Sequence, residues 1–529
     1  MGNKYDAIII GGGHNGLTAA AYLAKAGKKV LVLERRYVLG GCTVTEEIYP
    51  GFKYTVLSYT VSLMRPEIIR DLDLESHGYH VIPVNSNFVP LPDGNHLFLA
   101  EDEEENRRQI SRFSKHDADA YPKYHEFMAT LARVANPFLS MVPPDPLSSH
   151  PRELLKLFRL GMRFRGLGKD AYSCAKLMTM SSLELAEMFF ESDVMKAQTS
   201  ASGVIGSFLS IRSPGTAYVL LHHYMGELDG DTGSWGFLRG GMGALADALA
   251  GAARKYGAEI RTEAPVSKIL VRDGAAAGVV LESGEEIRAK AVASGVDPPL
   301  TFLKMLDPGD MPAEFYEKIR QYKVRGCSGM VNLALDGLPN FTALPGDGPH
   351  LRGFITIAPS TDYLERAYDD AKYGKYSHRP YLDVVIPSLV DPSMAPPGKH
   401  VMSASVRYAP YHLKAGPWDD HRETFGDNVI DTLCEHAPNL KDIILHRQVL
   451  SPWDYEQEFG LTGGSIFHGD LSADQLFMMR PVPGWAQYRM PVNRLYMCGS
   501  GAHPGGGVMG APGWLAALEM LKDFKSGRL

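Results

Sequence analysis

The chain has 529 residues, a formal net charge of −7, 45% hydrophobic and 22% charged residues. That length exceeds one compact core and predicts roughly two or three units, while the acidic balance disfavours nucleic acid as a partner. Five cysteines, Cys42, Cys174, Cys327, Cys434 and Cys498, are scattered with no C-x-x-C pair. This argues against a disulfide framework, a zinc site and a redox dithiol, and it suits a reducing compartment. No run of 18 apolar residues exists and the first predicted strand starts at Tyr5, so neither a membrane span nor a signal peptide is expected, and the expected address is the cytoplasm.

Tyr5 to Ile10 is a short apolar run that reads as a buried parallel strand and leads into Gly11-Gly12-Gly13-His14-Asn15-Gly16. An Ala-rich helix follows from Leu17 to Ala26, Gly27 stops it, Val30 to Leu33 reads as the second strand, and Glu34 stands at its end. Strand, G-x-G-x-x-G, helix, strand and terminal acid fit within about 30 residues, the length of a βαβ dinucleotide site. Gly11 permits the tight turn, Gly13 lets the backbone approach a pyrophosphate, and Gly16 lets helix and strand pack closely. The helix start offers free N–H groups to phosphates, and Glu34 is placed to accept ribose hydroxyls. Gly12 and Asn15 belong to the same candidate cofactor loop.

Further on, Phe88 to Leu91 and His96 to Leu99 flank a Pro-Asp-Gly-Asn turn, and an acidic run from Glu101 to Glu105 reads as a solvated helix start. Residues 110–225 read as mainly helical. Within them Arg152, Lys156, Arg159 and Arg163 share one face of a helix from Pro151 to Phe164, Leu154, Leu155, Leu157, Phe158 and Met162 fill the rest, and Arg165 and Lys169 extend the basic character. Two readings stand: residues 151–169 meet an anionic membrane surface, each base contributing about 1 kcal/mol, or the helix packs on the core with a solvated basic face. Gly240-Gly241-Met242-Gly243 follows no clear apolar strand and reads as a tight helix start, which argues against a second nucleotide domain. A helix from Ala244 to Tyr256 then leads to Val266-Ser267-Lys268-Ile269 and to turns at Asp273-Gly274 and Ser283-Gly284, a β-meander.

From 300 to 450, strand-like runs (Met330 to Leu335, Leu382 to Ile386, His400 to Val406) alternate with helical ones (Asp427 to His436), an α+β pattern. At the far end Arg494 to Cys498 reads as a strand, 499–510 as a glycine-rich loop, and Ala511 to Phe524 as the last helix, with Pro512 in its first turn. No spacing fits a metal site or a Ser-His-Asp triad.

These motifs, with Asp391-Pro392-Ser393-Met394-Ala395-Pro396-Pro397-Gly398, Asp474 to Pro481 and His503-Pro504-Gly505-Gly506, resemble the phytoene desaturase-related branch of FAD-dependent oxidoreductases. The resemblance spans nearly the whole chain and is nearest to the group of pyridine nucleotide-disulfide oxidoreductase domain-containing protein 2 and to the carotenoid ketolases. It implies an α/β fold: a Rossmann-like FAD-binding domain, parallel sheet plus β-meander, from residues 1–75, 230–300 and 455–529, and an inserted α+β substrate domain from 76–229 and 301–454. FAD is the implied cofactor. Arg35 and Gly40-Gly41, beside Cys42, would line its pyrophosphate and ribityl path, and Val266 would touch the adenine through its backbone. Gly499, Gly507, Val508, Met509 and the last helix start would serve the flavin end. His503, in the flavin loop, and His468 are the candidate catalytic groups, since a titratable side chain can assist a proton transfer accompanying hydride movement; His222-His223 reads as structural. The missing dithiol removes disulfide-reductase chemistry. The implied activity is hydride transfer at flavin N5 with an apolar, isoprenoid- or polyene-like small molecule, of desaturase, saturase, isomerase or ketolase type. The alternatives are a soluble amine or amino-acid oxidase and a flavin-stabilised regulatory protein with little turnover.

Overall fold

The computed structural model describes residues 4–84, 86–168, 170–228 and 230–529. Tyr5–Ile10 and Val30–Leu33 pair in parallel, Ile8 against Leu31, and enclose the helix His14–Lys25 between them in sequence. Their residues are apolar without alternation because both faces of the strands are covered. Glu259–Arg261 extends this sheet beyond Val30–Leu33, and Glu286–Ser294 lies on the other side of Tyr5–Ile10, also parallel. Leu495–Met497 pairs with Val292–Ser294, so a strand almost 500 residues downstream completes the sheet that the first strand begins.

The meander forms as expected, from Val266–Arg272, Ala275–Leu281 and Glu286–Ser294. Its third strand is itself a member of the parallel sheet, so the meander continues the sheet. The helices Gly243–Lys255 and Ala511–Ser526 both pack on His14–Lys25. One correction concerns the glycine cluster at 240–243: a strand, Trp235–Leu238, does precede it. That strand pairs with Val81–Val84 in a separate two-stranded sheet, and the helix after it feeds Glu259–Arg261 into the first sheet. No second nucleotide-binding unit arises from it.

A second seven-stranded sheet runs in the order Ile444–Leu450, Ser328–Leu335, His400–Arg407, Tyr381–Val385, Phe354–Ile357, Asn87–Pro90, His96–Leu99. The early hairpin thus joins strands more than 250 residues away through a parallel contact of Ile355 with Phe88. Between Glu103 and Tyr224 the described residues are mainly helical, including the long helix Lys115–Leu139.

Pro151–Gly166 is helical, and its surroundings overturn the core-packed reading, because none of its residues is buried. Leu154, Leu155, Phe158, Met162 and Phe164 are all exposed, Phe158 by 65%. Lys169, which extended the basic run in sequence, lies outside the described residues. Among the described residues, no helix is long and apolar enough to cross a membrane.

Candidate active site

At the end of the first strand Gly11 turns with φ +93, a conformation open to glycine, and a Cβ on Gly16 would stand 2.2 Å from the Gly11 carbonyl. Strand end and helix start are therefore as close as backbones can come. Above Gly13 the space is free, its nearest neighbour being the Gly40 carbonyl at 3.8 Å from a would-be Cβ. Glu34 is buried and fixed by two backbone donors: Gly12 N–H donates to Oε2 at 2.7 Å and Arg36 N–H to Oε1 at 2.8 Å. Gly40 N–H donates to the Gly12 carbonyl at 2.9 Å, so the acid-to-Gly-Gly stretch runs alongside the phosphate-type loop.

The chain termini meet here. Asn15 Nδ2 donates to Ser500 Oγ at 3.0 Å, while Asn15 Oδ1 is buried without a partner. A Cβ on Gly513 would lie 1.9 Å from the Asn15 carbonyl, which seats the last helix against the first. Arg480, fully buried, holds the loops together: Nε donates to the Ser500 carbonyl at 3.0 Å, Nη1 to Asp470 at 3.1 Å and Gln475 at 3.2 Å, and Nη2 to Phe467 at 2.7 Å.

A cavity of about 630 Å³ extends from this loop into the space between the two sheets and the helical region. Of the residues singled out in sequence, Gly11, Gly13, Asn15, Gly16, Glu34, Gly40, Gly41, Cys42, His468, Gly507 and Val508 line it. Val508 holds φ +58, a strained value for a β-branched residue. Burial pushes the Cys42 thiol up to about 12, so it stays neutral.

Gly12, Arg35, Val266, Gly499, Met509 and His503 are not among the lining residues. Gly12 packs behind the loop against Leu39 and Glu34. Arg35 turns to the Gln457 carbonyl at 2.6 Å. The segment that bonds the Glu34 region lies just before Val266: Ala264 N–H donates to the Glu34 carbonyl at 2.9 Å. Gly499 is pressed against the Gly295 carbonyl, and Met509 belongs to the core of the helical region. Residues 511–513 at the start of the last helix likewise lie off the cavity, because the Gly513 contact commits them to the first helix.

The expected catalytic role of His503 needs correction. Its Nε2 is hydrogen-bonded to the Phe138 carbonyl at 2.8 Å and its ring packs on Phe477. Burial, opposed by that bond, depresses its pKa to about 4. His468 does face the cavity, with Nδ1 unpartnered, but burial lowers it to about 3. A base that weak is poorly matched to proton abstraction at neutral pH.

The far wall contains residues that sequence reading missed, Tyr59, Trp235, Phe354, Tyr381, Asp383 and Arg407, together with His223, which it read as structural. Tyr59 donates to Asp383 Oδ2 at 2.6 Å, and His223 stacks on Trp235 with ring centres 5.9 Å apart. One signal was present, a lone acid inside the apolar strand Tyr381–Val385, since acids are almost never fully buried unless partnered. Away from the cavity, His116, Asp117 and Glu191 bring ligand-type atoms within 4.8 Å of one another, but Asp117 already accepts the Glu191 and Ser192 N–H groups.

The loop, the fixed acid and the uncovered glycine path fit FAD, whose pyrophosphate would lie along Gly11–Gly16 and whose ribose would meet Glu34. Comparison with known proteins agrees. The model of the flavin-containing amine oxidoreductase family matches residues 16–512. Pyridine nucleotide-disulfide oxidoreductase domain-containing protein 2 of Rattus norvegicus is 43% identical over 99% of this chain and 94% of its own length. A limonene dehydrogenase subunit of Castellaniella defragrans is 27% identical over 98% of this chain and 95% of its own. An oxidoreductase structure from Methanosarcina mazei shares the fold, with a TM-score of 0.60, 18% identity, and coverage of 98% of this chain and 99% of that one. The protein is an FAD-dependent oxidoreductase and belongs to the flavin-containing amine oxidoreductase family.

Proposed function

We propose that the protein oxidises or reduces an apolar, isoprenoid- or polyene-like chain by hydride transfer. The observation that carries this reading is that the cavity running from the glycine loop is lined by aromatic side chains, at Tyr121, Tyr224, Trp235, Phe354, Tyr381, Tyr455 and Phe467. Bound FAD supplies hydride exchange at N5. The chain's own residues bind and orient: the aromatic wall gains by burying an apolar substrate at about 25 cal/mol per Å² and excludes water from the reaction space. The likeness to a limonene dehydrogenase, whose name denotes a terpene substrate, supports the same class. Anaerobic mixing of the FAD-loaded protein with isoprenoid polyenes, amines and NADPH tests it. Bleaching by a polyene, or reoxidation of reduced protein by one, is the expected result; bleaching by amines alone would move the protein to amine oxidation, and persistent colour with every donor and acceptor to a regulatory role.

The exposed helix supports a second element of the proposal, docking on an anionic membrane from which a greasy substrate is drawn. Arg152, Arg159, Arg163 and Arg165 stand beside five exposed large apolar side chains on a helix with no buried residue. Phe164 also touches the Phe138 ring, 5.7 Å between centres, but the remaining exposed apolar side chains beside the bases are the combination an interfacial helix requires.

A further inference from the structure

Among the described residues, two arginines are less than 2% exposed, and the fold treats them differently. Arg480 spends all three guanidinium nitrogens on main-chain carbonyls. Arg407, 1% exposed at the end of the strand His400–Arg407, leaves Nε and Nη1 buried with no hydrogen-bond partner. It stands in the cavity wall and is the one lysine or arginine among the described residues that does so. The neighbouring carboxyl, Asp383, is engaged by Tyr59, and burial, opposed by Arg407, pushes its pKa up. The Arg407 guanidinium lies over the Tyr381 ring, 5.1 Å from its centre, which holds its position.

We infer that Arg407 anchors an anionic head group, and that the substrate is an apolar chain ending in a carboxylate. This rests on the proposed apolar-substrate reading and narrows it. A guanidinium offers a planar fork of N–H groups that matches two carboxylate oxygens. A bare hydrocarbon filling the cavity would displace water and leave Nε and Nη1 of this buried cation desolvated with no acceptor, which is costly even beside Asp383. An ammonium would meet like charge, which argues against an amine at this end of the cavity. A diphosphate would bring more negative charge than one guanidinium offsets. The aromatic side chains of the wall, Tyr121, Tyr224, Trp235, Phe354 and Phe467 among them, offer the chain behind the head group apolar surface.

The test uses the FAD-loaded protein and matched probes: retinoic acid, methyl retinoate and retinylamine, with a shorter geranic acid, methyl geranate and geranylamine set, followed by perturbation of the flavin absorbance and by tryptophan fluorescence. The acid should bind about tenfold or more tighter than its ester and amine. Arg407→Met should abolish that preference while Arg407→Lys keeps part of it, and both should retain FAD. Equal behaviour of acid and ester in the unaltered protein, including binding of neither, overturns the inference, as does an Arg407→Met protein that still prefers the acid. The comparison in the unaltered protein needs no variant to fold. Failure of the flavoenzyme reading shows separately, as absence of FAD absorbance. Failure of the apolar-substrate reading shows as short carboxylates such as acetate competing as well as the long acids.

Discussion

Glu34 illustrates how a single residue carries a large share of the cofactor site. Its carboxylate is locked by the Gly12 and Arg36 N–H groups, which leaves its outer lone pairs fixed in direction at the mouth of the glycine loop. Glu34→Ala should weaken FAD binding by about 10- to 100-fold, the loss of charge-assisted hydrogen bonds; a flavin fluorescence titration of the apoprotein measures it, and undiminished affinity would count against the assignment. Gly16→Ala should be worse than a binding defect, because its Cβ would collide with the Gly11 carbonyl, a backbone atom that cannot rotate away. Loss of soluble, folded protein is the expected outcome. For the histidines, His503→Gln should leave turnover nearly unchanged, since its ring is committed to Phe138 away from the cavity.

Among the elements, the helix Pro151–Gly166 and the last helix make opposite demands. The former has no fully buried residue, so changing its bases should spare the fold. Arg152→Gln, Lys156→Gln, Arg159→Gln and Arg163→Gln together should reduce co-sedimentation with phosphatidylserine vesicles and leave the melting temperature nearly constant; unchanged sedimentation would reject membrane docking. Lys156 should matter least of these, being paired with Glu153 at 2.6 Å. The helix Ala511–Ser526, in contrast, is held by backbone contact with the first helix at Gly513. Gly513→Ala forces these helices apart and should lower both stability and FAD affinity, since Asn15 belongs to the same contact and to the cavity wall.

For the molecule as a whole, burial sets the response to acid. His14, His222, His223, His468 and His503 are all depressed from 6.5 to about 3 or 4, chiefly by desolvation. The unfolded chain takes up protons at these sites before the folded one, so their contribution is complete above about pH 6.5 and is lost as pH falls toward 4. Each should cost on the order of 1 kcal/mol per pH unit in that window. Asp297, raised to about 6 by burial, works in the opposite sense below that pH and reduces the net loss. The midpoint of urea denaturation should therefore drop between about pH 7 and about pH 5, and a constant midpoint would contradict the burial of these rings.

The sequence alone determined the first βαβ unit, the meander, the hairpin and the last strand and helix, because each is written in local apolar period and in turn residues such as Gly27, Asp273-Gly274 and Pro512. It also placed Gly11, Gly13, Gly16 and Glu34, whose functions depend on spacing within about 30 residues. Tertiary structure decided the rest. Tyr59, His223, Asp383 and Arg407 come from distant segments and share no local pattern, so only the meeting of the second sheet with the helical region makes them one wall. The same holds for His503, which sits in a glycine-rich loop where proximity in sequence pointed to the reacting centre. Whether a side chain faces the cavity depends on which way its loop turns once Arg480 has gathered the surrounding carbonyls, and no spacing rule encodes that rotation.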